Sequence, residues 1–113
     1  MLYALDVDVV RYKLETDDQD FHVVVRDHNG SSLTMIVEFP DPTFVSHASP
    51  FRSLIARARQ TFNDVFEPTT SWKRKRGHLR LVGVGFFDFK HGQSGVAPNA
   101  IELHPVLECQ ILR

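Results

Sequence analysis

The chain has little of several things. Its 113 residues hold a single cysteine, Cys109. One thiol rules out an internal disulfide, and a zinc site built on paired CxxC ligands falls with it. Cys109 lies in the apolar run "VLECQIL" and reads as a small buried hydrophobe. Charge of one sign is also lacking: 13 basic side chains face 14 acidic ones, for a net charge of −1. No global field selects a nucleic acid or a membrane, so any electrostatic partner must be chosen by a local patch. No apolar run approaches the roughly 20 residues of a membrane-spanning helix. Repeats, low-complexity tracts and linkers are missing, so residues 1–113 read as a single domain of ordinary size. The N-terminus "MLYALDVDVVRYKLE" alternates and carries acids early, which is the pattern of a strand and not of a signal peptide. A cytoplasmic protein is expected on that ground, with a mature domain trimmed from an exported precursor as the alternative.

Aromatic residues are plentiful by contrast, with nine Phe, two Tyr and one Trp, enough bulk for one core. The alternation predicts a first strand over Leu2 to Glu15. Leu5, Val7 and Val9 share one parity and Val10, Tyr12 and Leu14 the other, so a bulge or sharp coil is expected near Val9–Val10. "TDDQD" (Thr16 to Asp20) is a turn. A second strand runs from Phe21 to Asp27, and Asn29-Gly30 signals a tight hairpin. A third strand follows from Ser32 to Phe39 and is ended by "PDP". Ser49 and Pro50 suit a helix start, and Phe51, Leu54, Ile55, Ala58 and Phe62 recur at helical spacing up to Pro68. The fourth strand is placed from His78 to about Phe89 and the fifth from Ala100 to Leu112. The order β-β-β-α-β-β, with a long bent first strand, is that of a five-stranded OB-like barrel with one helix between strands 3 and 4. An open α+β sheet is the runner-up.

Two stretches carry chemistry. In "GVGFFDFKHGQSGVAPNAIELHPVL", Glu102 and His104 are two residues apart on a strand, hence on one face about 7 Å apart. Gly83 and Gly85 are expected roughly across from His104 and Glu102, and Asp88 and His91 sit where the fourth strand enters the loop. Asp88, His91, Glu102 and His104 can bind a divalent metal whose water attacks a phosphodiester. Alternatively His91 or His104 serves as a general base oriented by Asp88 or Glu102. The same residue types also simply brace loops, as Asn99 after Pro98 can. In "WKRKRGHLR", Trp72 heads the cations Lys73, Arg74, Lys75, Arg76 and Arg80, a pattern that can stack a base and grip phosphates. A solvated basic connection is the plainer reading. Aromatic residues of both parities at Phe86, Phe87 and Phe89 leave at least one for the surface.

The stretch from Gly83 to Leu107 resembles the signature G-x-G-F-F-D-x-x-H-G-Q-x-G-x-A-P-N-x-I-E-L-H-P-V-L of a family of small bacterial proteins of uncharacterised function. Asp88, His91, Gly92, Gln93, Pro98, Asn99, Glu102, His104 and Pro105 are among the matching positions. "EFPDP" and "SPFRSLIARARQTF" are similar to that family's middle region, and the family implies no reaction. A fold-level analogy runs to the staphylococcal nuclease kind of OB barrel, which sets acidic metal ligands and arginines on one barrel. The sequence therefore leads to three expectations. The first is an OB-like module binding single-stranded nucleic acid, or a similar anionic oligomer, through residues 73–80 and the 88–104 loop face. The second is a metal-dependent phosphodiesterase using Asp88, His91, Glu102 and His104. The third is a non-enzymatic domain with a protein partner.

Overall fold

A computed structural model describes residues 1–87 and 101–112. Five strands and one main helix make it up: β1 (Leu2–Leu14), β2 (Phe21–Asp27), β3 (Thr34–Phe39), α1 (Arg52–Phe66), β4 (His78–Phe87) and β5 (Ile101–Leu112), with a single 3-10 turn at Pro42–Phe44. The strands close in the order β1-β2-β3-β5-β4, and β4 returns to β1. Every pairing is antiparallel except β3 with β5. This is the OB-like barrel that the element order predicts. Closure through β1–β4 excludes the open sheet.

The long β1 serves two partners, β2 and β4. Its register against β2 slips between Val9 and Arg11, where the parity of the sequence changes. The extra residue keeps Val7, Val9 and Tyr12 all inside. It also turns Arg11 and Lys13 to the outer face. On β2 and β3 the alternation is regular: Phe21, Val23 and Val25 pair across with Phe39, Val37 and Met35 in the interior. The outward pair next to Phe21 and Phe39 is His22 with Glu38.

Helix α1 plugs one end of the barrel with Ala58, Phe62 and Phe66. Phe62 stacks on Phe39 at 4.7 Å and on Phe66 at 4.5 Å, and meets the edge of Tyr12 at 5.5 Å. Burial of each such ring contributes about 1.5–3 kcal/mol. The Tyr12 hydroxyl donates to the Phe66 carbonyl at 2.8 Å, which ties the helix end to β1. This aromatic floor also holds the register that places Asp20, His22 and Glu38, because each is next in sequence to Phe21 or Phe39.

Several local details differ from the sequence reading. The helix begins at Arg52 with Phe51 as its N-cap, and Ser49 instead accepts from the Phe51 amide in the preceding turn. Gly30 has φ of +104° but Asn29 is not in the left-handed region, so the β2–β3 connection is not a tight type I′ hairpin. The Asp27 side chain accepts from the Asn29 amide and a longer loop results, leaving Leu33 exposed outside β3. Gly83 faces Val106, two residues beyond the expected His104, and Gly85 faces Leu103, one beyond the expected Glu102. Register slips on both sides of Gly83 account for the shift. A Cβ at Gly83 would lie 2.8 Å from the Pro105 carbonyl oxygen, so the close approach of β4 to β5 there requires glycine.

Candidate functional site

The outer face beside the plugged end carries an unusual row of polar residues. Asp20 stands at the entry to β2, His22 on β2, Glu38 on β3, and Glu102 and His104 on β5. The turn before β2 sets Asp20. Gln19 takes a left-handed φ of 62°, the Glu15 amide donates to the Asp20 carbonyl at 2.9 Å, and the Asp18 carboxylate accepts from the Asp20 amide. Asp20, His22 and Glu102 are buried, whereas His104 is partly open.

His104 is the hub. Its Nε2 lies 3.5 Å from Asp20 Oδ2, and its Nδ1 lies 3.3 Å from Glu38 Oε2 and 3.8 Å from Glu102 Oε1. His22 Nδ1 approaches Glu38 Oε1 at 3.4 Å and Glu15 Oε1 at 3.6 Å. Within the described residues, the ion pairs of Asp20, Glu38 and Glu102 are all with histidines. One ligand atom each from Asp20, Glu38 and His104 lies within 4.8 Å of the others.

Three acids packed with two imidazoles distort each other's protonation. Burial pushes the Asp20 carboxyl up to about 7, and the neighbouring Glu38 adds to the effect. Glu38 moves the other way: burial opposes ionisation, but hydrogen bonding to His22 and the His104 charge hold it below the ordinary glutamate range. The Glu102 carboxylate beside His104 raises that imidazole, against burial and with help from Glu38 and Asp20. The cluster thus keeps a proton on Asp20 near neutral pH and favours a charged His104.

Arg59 of α1 positions two of these residues without joining them. Its Nη1 donates to the Gln19 carbonyl at 2.8 Å and to the Phe39 carbonyl at 2.9 Å, and its guanidinium sits 3.9 Å over the Phe21 ring. Gln19 precedes Asp20 and Phe39 follows Glu38, so one cation clamps both backbones. Arg59→Met is expected to cost about 2 kcal/mol in urea unfolding, from two hydrogen bonds to a charged donor and one cation–π contact. Arg59→Lys should recover only part of this, because one ammonium can donate to both carbonyls but does not stack flat on Phe21 as the guanidinium does.

Of the residues singled out from sequence, Glu102 and His104 are brought together as expected. Asp88 and His91 lie outside the described residues. Asp20, His22, Glu38 and Arg59 were not anticipated. A polar pair at matching outward positions of two hydrophobic strands was the available signal, but cross-strand register had to be known to read it. The basic segment is dispersed. Lys73 Nζ donates to the Glu67 carbonyl at 2.9 Å and Lys75 Nζ to the Val65 carbonyl at 2.7 Å, so both cap the C-terminus of α1. Arg74 and Arg76 are exposed. Arg80 is exposed on β4 opposite Gln110, at the far end of β5 from Glu102. Trp72 alone among them reaches the polar row, edge-on to His22 at 5.8 Å. No helix among the described residues is long and apolar enough to cross a membrane. Compared with protein-family models, with curated proteins and with solved structures, the chain matches none.

Proposed function

We propose that Asp20, Glu38 and His104 bind a divalent cation, and that the protein is a cation-dependent hydrolase of phosphodiesters. The observation that carries this reading is the 4.8 Å limit on the separations of the three ligand atoms. Ligands bound at roughly 2.0–2.4 Å from one ion lie at most about 4.8 Å apart, so one ion can satisfy all three. Two carboxylates and one imidazole form a mixed oxygen and nitrogen set that suits Mn²⁺ or Zn²⁺ better than Ca²⁺. Three protein ligands leave positions open for water and substrate, the mark of catalytic sites as against closed structural ones. A cation there would also offset the burial and the neighbouring Glu38 that hold a proton on Asp20.

The ion would polarise a phosphoryl oxygen and lower the pKa of a bound water. The chain's own residues do the rest. With the ion on His104 Nε2, Glu102 at Nδ1 would orient the imidazole, as carboxylates do for metal-bound histidines, and His22 holds Glu38. Arg11 and Lys13, on the adjacent outer face of β1, favour an anionic substrate. The test is hydrolysis of bis(p-nitrophenyl) phosphate with Mn²⁺ added and with chelator added. Activity that requires Mn²⁺ supports the reading. Equal rates in both, or no turnover with saturating Mn²⁺, count against it.

A further inference from the structure

We infer that the substrate is a single-stranded nucleic acid whose bases stack on Trp72 and Phe86, two exposed rings that flank the cation cluster. The inference rests on the proposed cation site only for where the phosphate lies. Phe44 and Phe51 are exposed as well, but Trp72 and Phe86 share one geometry. Trp72 is 42% exposed and stands edge-on to His22. Phe86 is 49% exposed and stands edge-on to His104, with ring centroids 6.0 Å apart at 73°. His22 and His104 are the two histidines that hold Glu38 between them. The outer face therefore reads Trp72, His22, Glu38, His104, Phe86, with aromatic ends and a charged centre.

Trp72 is held firmly. The next residue, Lys73, exchanges both backbone hydrogen bonds with Tyr12 of β1, at 2.9 and 3.0 Å. The Lys13 ammonium lies 4.8 Å and the Arg11 guanidinium 5.2 Å over the indole ring, and Lys13 also pairs with Glu15 at 3.8 Å. A base stacking on the indole takes the place of a cation there and leaves that cation to its phosphate. An exposed aromatic next to cations is what a strand of stacked bases needs, and it is sequence-tolerant because every base has a π-face. A duplex hides those faces. Trp72 stands beyond His22 and Phe86, on β4, beyond His104, so the two rings lie at opposite ends of the polar row.

Trp72 is the only tryptophan in the chain, so its fluorescence reports on the platform directly. Oligothymidylate and oligouridylate, titrated in chelator so that nothing is cut, should quench it. A duplex of equal length should not. Binding of a labelled strand, followed by anisotropy, should weaken about tenfold in Trp72→Ala, since stacking on one ring is worth about that much. Trp72→Phe should restore most of it, which separates the platform from a folding defect. Lys13→Ser should flatten the salt dependence. A preference for the thymidylate or for the uridylate strand would assign DNA or RNA as the source within this class. Absence of quenching, equal binding of duplex, or unchanged affinity in Trp72→Ala would overturn the inference. If quenching occurs but Mn²⁺ does not bind, the cation reading fails and this one stands. If Mn²⁺ binds but no strand quenches, the reverse holds.

Discussion

Replacing Glu38 by glutamine is expected to abolish the response of the protein to Mn²⁺ while leaving the metal-free fold intact. For the unaltered chain, Mn²⁺ at about a hundredfold above its dissociation constant should add about 2.7 kcal/mol. At roughly 4 °C per kcal/mol for a domain of this size, the melting temperature should rise by about 10 °C. Glu38→Gln keeps the shape of the side chain but removes a charge that the ion needs. It removes the carboxylate that His22 and His104 hold ionised but also eases the burden on Asp20, so the metal-free variant should melt only slightly below the parent. His104→Ala should lose the Mn²⁺ shift as well, and both variants should lose Mn²⁺-dependent hydrolysis. Melting curves with and without Mn²⁺ check this directly. A full 10 °C shift retained in Glu38→Gln would remove Glu38 from the site.

The second large effect is on pH. Asp20 holds its proton up to about pH 7, and His104 titrates above its ordinary value. A cation needs both groups deprotonated, so binding displaces up to two protons below neutrality. Mn²⁺ affinity should therefore rise with pH by about tenfold per pH unit for each proton displaced, and flatten once both groups have titrated. Isothermal titration at half-unit steps from pH 5.5 to 8 gives the slope. A flat profile over that interval would mean that neither group is a ligand. Stability of the metal-free protein carries the matching sign. Asp20 has a folded pKa above its unfolded value of 3.8, so its penalty is absent below about pH 4. That penalty grows as pH rises toward 7 and is complete above it. Bound Mn²⁺ should cancel this loss.

The barrel was legible because its signals are local. Alternation in Phe21–Asp27, the parity switch near Val9 and the helical stripe through Ala58 and Phe62 each depend only on near neighbours in sequence. The site was legible in half. Glu102 and His104 lie two apart on one strand, so their shared face follows from the period of a strand alone. Their partners Asp20 and Glu38 come from the turn before β2 and from β3, and β3 meets β5 in the one parallel pairing among the described strands. Nothing in the chain near His104 announces that contact, because it is set by closure. The lysines of "WKRKRG" show the opposite case. A run of cations draws attention as a phosphate grip, yet Lys73 and Lys75 spend their ammonium groups on the end of α1. Helix-end carbonyls recruit whichever cations follow them in the chain.

The position of a bound ion tests the central claim most directly. Crystals soaked in Mn²⁺ and measured for its anomalous signal should show one peak, about 2.0–2.4 Å from an Asp20 oxygen, a Glu38 oxygen and a His104 ring nitrogen. Glu102 should remain at His104 Nδ1 and outside the coordination sphere. A strong peak elsewhere with this cluster empty at saturating Mn²⁺, or the three side chains moved apart to accept other partners, would contradict a cation site on β2, β3 and β5.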